Sequence, residues 1–376
     1  MNVIFTCGGT AGHVNPAIAL AGLMQSRDPS VNILFVGSKR GMEGKLIQKS
    51  GYPFRAIEID NFHRSFKPAD IRHNLHTAAL VVKTPKQARA VLREFQPDLI
   101  VGTGGYASYP MVKYGAKEGI PAAVHESNMV PGLTTKTLEP LVRKVMVGFE
   151  ACRSYYAHPE KVVVTGTPVR GDFFRLSKEE ARAKLGYGDD KPLVVSFWGS
   201  LGASHMNEQM VDFIRAEIAA GGPMHHIHAA GSSGYGRLND LLCAAGVTPE
   251  NSTVEVREYI YDMPTVMRAA DLVICRGGAS TISEITALGA PAIIVPSPYV
   301  VNNHQEKNAA VLEQAGGIKM IREADSTGEK LYAAAMEILS DAQLRARMHA
   351  ALLKLAVPDA TERIYDTVMG LLDEKA

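Results

Sequence analysis

The chain has 376 residues, too many for one ordinary hydrophobic core; 46% are hydrophobic and the formal net charge is +1. That describes a globular protein of two domains and excludes one whose overall field would attract nucleic acid. Cys7, Cys152, Cys243 and Cys275 stand far apart with no Cys-x-x-Cys pair, which argues against a disulfide framework or a zinc site. With no charged leader and no apolar run long enough to cross a bilayer, the chain reads as cytoplasmic.

The first apolar stretch, Val3-Ile4-Phe5, runs into Gly8-Gly9-Thr10-Ala11-Gly12-His13-Val14-Asn15-Pro16. A strand that ends in glycines and turns into a helix exposes backbone N–H groups at a positive helix end, where an anionic or polyhydroxyl ligand can approach. Thr10 and His13 stand where Gly-x-Gly-x-x-Gly requires glycines, which argues against a nicotinamide enzyme. His13 is either the cap of a tight turn or a neutral imidazole able to accept a proton.

Short apolar runs then recur between helical patterns: Ile33 to Val36, Leu99 to Val101, Ala122 to Val124, Val145 to Val147 and Val162 to Val164. Runs of this kind alternating with helices predict a parallel sheet covered on both faces. Between them, Ile71 to Phe95 combines apolar Ile71, Leu75, Ala79 and Val82 with Arg72, Lys83, Lys86, Arg89 and Arg93. It reads either as an ordinary amphipathic helix or as a basic surface for anionic lipid head groups, and Pro85 is expected to divide it in two. A proline turn at Gly166-Thr167-Pro168-Val169-Arg170 marks the join between domains, and Ser177 with Glu180 has the form of a capping box.

The pattern restarts with Leu193 to Phe197 leading into Trp198-Gly199-Ser200-Leu201-Gly202-Ala203. His225, His226 and His228 lack nearby metal-ligating partners in the sequence and read as a histidine-rich strand. Asp98-Leu99-Ile100-Val101 followed by Gly104-Gly105 is echoed by Asp271-Leu272-Val273-Ile274 followed by Gly277-Gly278, each with a Gly-x-Pro-Ala strand entry after it. Two similar doubly wound α/β domains are therefore expected, with four glycine turns at the carboxyl ends of strands, facing a common cleft. Glu284, a few residues past Gly278, is placed either to accept both hydroxyls of a ribose or to stabilise a helix N-terminus. No Asp-x-Asp motif occurs, so there is no obvious carboxylate pair to hold magnesium and no cofactor is expected.

The ordered set Gly-Gly-Thr-x-Gly-His, Gly104-Gly105-Tyr106, His125-Glu126-Ser127-Asn128, Gly166 to Arg170, Gly199 to Ala203, Arg276 to Glu284 and Asn303-His304-Gln305-x-x-Asn308-Ala309 resembles the MurG family over nearly the whole chain. These are the peptidoglycan N-acetylglucosaminyltransferases that convert lipid I to lipid II in cell-wall synthesis, cell shape and division. Trp198 departs from the glycine of many relatives, and His304 from a glutamine of some.

The resemblance implies the glycosyltransferase B fold: an acceptor domain over 1–165, a UDP-sugar donor domain over 166–349, and a terminal helix over 350–376 returning to the first. It implies His13 as the base for the acceptor 4-hydroxyl, with Glu126 as a second catalytic group and Tyr106 and Glu126 facing the acceptor. Thr10, Ala11, Gly12, Asn128, Arg170, Ser200, Ile260, Ala279, Ser280, Thr281, Glu284, His304 and Gln305 are the implied donor contacts, Ile260 through its backbone to uracil. The implied partners are UDP-N-acetylglucosamine, the undecaprenyl-linked acceptor, an anionic membrane surface at the cytoplasmic face, and other cell-wall or division proteins. A UDP-N-acetylglucosamine 2-epimerase and a sugar-nucleotide-binding scaffold are the alternatives.

Overall fold

The computed structural model describes residues 1–41, 43–60, 67–199, 202–248 and 251–373. The chain divides into two compact units, Met1–Val169 with Val357–Ala376, and Arg170–Ala356.

The first unit is built from β1 (Asn2–Thr6), α1 (Ala11–Arg27), β2 (Asn32–Ser38), α2 (Glu43–Lys49), β3 (Phe54–Ile57), α3 (Pro68–Phe95), β4 (Leu99–Gly102), α4 (Tyr109–Lys117), β5 (Ala122–Glu126), α5 (Leu133–Leu138), β6 (Lys144–Val147) and β7 (Val162–Val164). Its seven strands pair in parallel in the order β3-β2-β1-β4-β5-β6-β7. The central strands are continuous apolar runs because both sheet faces are covered: Val3, Ile4, Phe5, Leu99, Ile100 and Val101 are fully buried.

The second unit follows as α6 (Lys178–Lys184), β8 (Leu193–Phe197), α7 (Ser204–Ala219), β9 (His225–Ala229), α8 (Tyr235–Ala244), β10 (Val254–Arg257), α9 (Met263–Ala269), β11 (Leu272–Cys275), α10 (Ala279–Leu288), β12 (Ala292–Ile294), α11 (His304–Gln314), β13 (Ile318–Met320), α12 (Gly328–Ser340) and α13 (Ala342–Leu355). Its sheet is parallel in the order β10-β9-β8-β11-β12-β13. Ser177 caps α6 with both reciprocal bonds of the capping box. Trp198 is buried among Met206, Met210 and Phe213, so the bulky departure is absorbed as core.

The chain leaves this unit only after α13, later than residue 350, because α13 packs on α10. The last helix, α14 (Ala360–Asp373), packs on α1 and places Ile364, Val368 and Leu371 in the core of the first unit.

One expectation fails. Pro85 does not divide α3, which runs unbroken from Pro68 to Phe95. A proline removes one hydrogen bond, and the neighbouring Thr84 hydroxyl, 2.7 Å from the Leu80 carbonyl and 3.2 Å from that of Glu58, ties the helix down at that point.

Candidate active site

In each sheet the strand order reverses at one place, between β1 and β4 and between β8 and β11. Ligands of open α/β sheets bind beyond the carboxyl ends of the strands at such points. The glycine turns after these four strands are the four singled out in the sequence.

In the first unit, His13 is the third residue of α1, and its Nδ1 lies 2.8 Å from the carbonyl oxygen of Gly8. A carbonyl only accepts, so Nδ1 carries the ring proton and Nε2 is the basic nitrogen. The ring rests against the turn after β4: a Cβ at Gly104 would fall 2.7 Å from His13 Cδ2, and one at Gly105 would fall 2.1 Å from the Gly8 carbonyl oxygen. Both glycines have positive φ, 104° and 78°. Thr103 donates its hydroxyl to the His13 carbonyl at 2.6 Å. Thr10 is the exposed N-cap, and Ala11 and Gly12 open the helix with neither an acid in the first turn nor a side-chain cap, while the His13 N–H turns back to the Thr10 carbonyl at 3.1 Å.

Behind this turn stands a residue that sequence reasoning missed. The Glu43 side chain is fully buried, its Oε1 accepting from the Ser38 N–H at 2.8 Å and its Oε2 from the Gly9 N–H at 3.3 Å. It braces the glycine turn from inside. The available signal was a lone acid amid Gly37, Gly41 and Gly44, since a Cβ at Gly37 would lie 2.8 Å from Glu43 Cγ. Tyr106 begins a single helical turn over 106–108, with its hydroxyl hydrogen-bonded to Ser38 and its pKa pushed up by burial.

Glu126 is bonded within its own loop. Its Oε1 accepts from the Asn128 N–H and side-chain amide, both at 3.1 Å, and its Oε2 from the Gly132 N–H at 3.0 Å and the Thr135 hydroxyl at 2.7 Å. A buried carboxylate committed to four donors shapes the loop over 127–135 and orients Asn128. All four bonds hold the carboxylate to its own loop. His125, also buried, donates Nε2–H to the Gly166 carbonyl at 2.9 Å, and desolvation holds its pKa down.

In the second unit, α10 begins at Ala279 with Ser280 and Thr281 in its first turn, no acid there and no side-chain cap on Gly278. A helix end without an acid or a side-chain cap is of the kind that suits an anion. Glu284 lies one turn further, and desolvation raises its carboxyl pKa to about 7, partly opposed by the positive charge of Arg170. Arg170, whose guanidinium lies 5.6 Å over the Phe173 ring, is thus within electrostatic reach of Glu284. Gly277 lets the start of α11 approach: a Cβ there would meet the Gln305 carbonyl oxygen at 2.5 Å. Gln305 Oε1 accepts from the Ser297 N–H at 2.9 Å, which leaves its NH2 group to donate outward. His304 spends Nδ1 on the Val301 carbonyl at 2.9 Å and keeps only Nε2. Ile260 is buried, 2% exposed. Ser200 lies outside the described residues.

Arg276, also missed, sits buried between β11 and the glycine turn, paired with buried Glu323 at 2.6 Å, donating to the Val295 carbonyl at 3.0 Å, and 5.7 Å from the Trp198 ring. It ties the β11 turn to the neighbouring strand ends.

Residues 3–147 match the N-terminal domain of glycosyltransferase family 28 and residues 193–364 its C-terminal domain. The chain belongs to glycosyltransferase family 28. Within that family it is 38% identical over 371 residues, 99% of this chain and 100% of the relative, to a protein of Thermoanaerobacter sp. (strain X514) named UDP-N-acetylglucosamine--N-acetylmuramyl-(pentapeptide) pyrophosphoryl-undecaprenol N-acetylglucosamine transferase. A protein of the same name from Bacillus subtilis (strain 168) is 36% identical over 99% of each chain. The crystal structure of Acinetobacter baumannii MurG superposes with a TM-score of 0.76 at 27% identity, covering 98% of this chain and 99% of that one. Two parallel-sheet α/β domains, as the glycosyltransferase B fold has, are what the family 28 chain forms.

Proposed function

We propose that this family 28 enzyme transfers N-acetylglucosamine from UDP-N-acetylglucosamine to the 4-hydroxyl of the N-acetylmuramoyl residue of an undecaprenyl-diphosphate-linked pentapeptide, with inversion at the anomeric carbon. The observation that carries this is the division of labour between the two switch points: a histidine whose tautomer leaves Nε2 basic at one, and an open helix end with a ribose-competent carboxyl at the other.

His13 Nε2 takes the proton from the acceptor hydroxyl as that oxygen forms its bond to the anomeric carbon. The bond from that carbon to the diphosphate oxygen breaks on the opposite face, and UDP leaves with the bonding pair. The first-turn N–H groups of Ala279, Ser280 and Thr281, the Arg170 guanidinium and the Ser200 hydroxyl stabilise the charge that develops there. Glu284 holds the ribose, the Ile260 backbone reads the uracil edge, and Asn128, Gln305 and the remaining nitrogen of His304 read the sugar. Thr10, Ala11 and Gly12 present backbone groups to the donor, and Tyr106 lines the acceptor side.

Incubation with the lipid acceptor and UDP-N-acetylglucosamine releases UDP and yields the lipid-linked disaccharide. The sugar nucleotide alone yields no UDP-N-acetylmannosamine; its appearance would favour the epimerase, and tight donor binding with no transfer to any acceptor would favour a scaffold. EDTA is expected to leave turnover intact, and loss of activity restored by magnesium would overturn the metal-free route.

The chain attaches at the cytoplasmic face of the membrane, where the acceptor's lipid is anchored. Among the described residues no helix is long and apolar enough to cross a membrane. What supports peripheral attachment is the first half of α3, where Ile71 and Leu75 are 48% and 69% exposed beside Arg72, while the second half buries Ala88, Val91 and Leu92 as an ordinary core helix does. Ala79 and Val82, the other apolar members of the stripe, have side chains outside the described residues. Arg89 is engaged with Glu118 at 3.4 Å and lies over the Tyr114 ring, so Arg72, Lys83 and Lys86 are the better lipid contacts.

A further inference from the structure

Strand β9 carries three histidines. His225 is at the surface, bonded to Asp189 and stacked on Tyr187. His226 and His228 share the opposite, fully buried face and take no part in the chemistry above. Between them, on the paired strand β8, stands Ser196, whose Oγ is 2.8 Å from His226 Nε2 and 2.7 Å from His228 Nδ1. Beyond His226, Nδ1 lies 3.1 Å from Glu217 Oε2; beyond His228, Nε2 lies 3.3 Å from Asn207 Oδ1. The order Glu217, His226, Ser196 is that of a hydrolytic triad, but all three side chains are sealed from solvent and no substrate reaches them.

The direction of every bond in this chain follows from its far end. The Asn207 amide donates to the Ala230 carbonyl at 2.9 Å, and a carbonyl can only accept, so Oδ1 is the group turned to His228. His228 Nε2 therefore carries the proton and its Nδ1 accepts from the Ser196 hydroxyl. The serine oxygen in turn accepts from His226 Nε2–H. One position remains, between His226 Nδ1 and Glu217, and with Nε2 already protonated a hydrogen bond there needs one further proton, shared between an imidazole and a carboxylate. Burial holds the His228 pKa down at about 3, consistent with its neutral form.

The Ala230 carbonyl is where the chain meets the donor side. A Cβ at Gly202, in the turn after β8, would lie 2.1 Å from that oxygen, and one at Gly234 would lie 2.2 Å from Asn207 Nδ2. The Ala230 carbonyl thus lies between the Asn207 amide, which donates to it, and Gly202, whose lack of a side chain lets the chain after β8 approach it.

We infer that Glu217, His226, Ser196, His228 and Asn207 form a one-directional hydrogen-bond chain, holding one proton on the Glu217–His226 pair, that fixes the Asn207 amide and the Ala230 carbonyl on which Gly202 rests, and so positions the chain at Gly202 for donor binding. They are positioning residues. A buried polar chain satisfied at every member fixes a unique arrangement, and breaking one link leaves several groups unpaired. The positioning part rests on donor binding at this turn, as proposed above.

Two measurements on the full-length protein test this. Nitrogen-15 spectra of histidine-labelled protein, recorded without ligand, should show His228 protonated on Nε2 and bare on Nδ1. Protonation on Nδ1 instead would overturn the chain. Second, Ser196→Ala should raise the UDP dissociation constant and the donor KM roughly tenfold while leaving the acceptor KM unchanged. Ile338→Val, a truncation in the same unit's core that removes none of these hydrogen bonds, serves as the control for lost stability, with temperatures chosen so that both variants are equally far below their melting points. Equal weakening of UDP binding in both variants, or none in Ser196→Ala, would overturn the positioning role. Wild-type protein that bound no UDP would sink the donor assignment and the positioning role with it, while the His228 tautomer would still decide the hydrogen-bond chain.

Discussion

The two switch points share one architecture and differ in a single chemical respect. After β1 the helix opens onto a histidine held by a carbonyl so that its outer nitrogen is basic. After β11 the corresponding helix opens onto small residues and, one turn in, a carboxyl whose desolvation favours its protonated form. A glycine turn at a strand end is therefore only a frame. In the proposed mechanism, the group that stands within the first two turns of the following helix decides whether the frame moves a proton or holds a sugar nucleotide.

The comparison breaks most visibly at His13. His13→Ala should lower kcat by about a thousandfold, with the UDP dissociation constant unchanged; single-turnover assay and calorimetry read the two. A near wild-type kcat would remove the base from the first switch point. Gly104→Ala tests whether the frame matters as much as the group, because the new Cβ must displace the imidazole at a positive φ. We expect kcat to fall by about 10- to 100-fold while His13 remains present.

Glu284→Gln sharpens the other half. A carboxyl whose folded pKa is raised from 4.5 to about 7 binds a proton more tightly in the native state. Its stabilising contribution is present below about pH 4.5 and lost as pH rises through 7. The variant should therefore be more stable than wild type at pH 8, by about 1–3 kcal/mol at most, with the difference vanishing toward pH 4. Its donor KM should rise several-fold even so. Thermal melts across pH and donor titrations check both, and a variant less stable at pH 8 would return Glu284 to a helix-capping role. The smallest effect on turnover is expected from replacing Arg72, Lys83 and Lys86 with glutamine. Binding to anionic vesicles should weaken by about 1 kcal/mol per charge, most at low salt, with turnover of a short-chain soluble acceptor unchanged. Sedimentation with vesicles measures it, and unaltered binding would remove α3 as the contact.

The central strands and all four glycine turns were legible because buried parallel strands are continuous apolar runs and tight turns need glycine. The strands without a signal, β3, β10 and β13, are all sheet edges. Phe54-Arg55-Ala56-Ile57 and Val254-Glu255-Val256-Arg257 expose part of each strand, so their composition resembles that of a loop. In the site, Glu284 and His13 could be found because they follow glycines at short spacing. Glu43 and Arg276 could not be assigned roles, since a side chain that braces a turn from inside is defined by what folds around it. The bonds of Glu126 to its own loop were hidden for the complementary reason: a carboxylate at a strand end looks the same in sequence whatever it faces.

The return of α14 to α1 makes the first unit discontinuous, whereas Arg170–Ala356 is one uninterrupted stretch. During synthesis the first 169 residues emerge before the helix that supplies Ile364, Val368 and Leu371 to their core. At ribosomal rates the intervening stretch takes roughly 10–40 s to appear. For that interval part of the apolar surface on α1 has no cover, while the later-made unit already has everything it needs to fold. The order of completion thus inverts the order of translation: the second half of the gene product matures first, and the first half waits on the last turns of the chain.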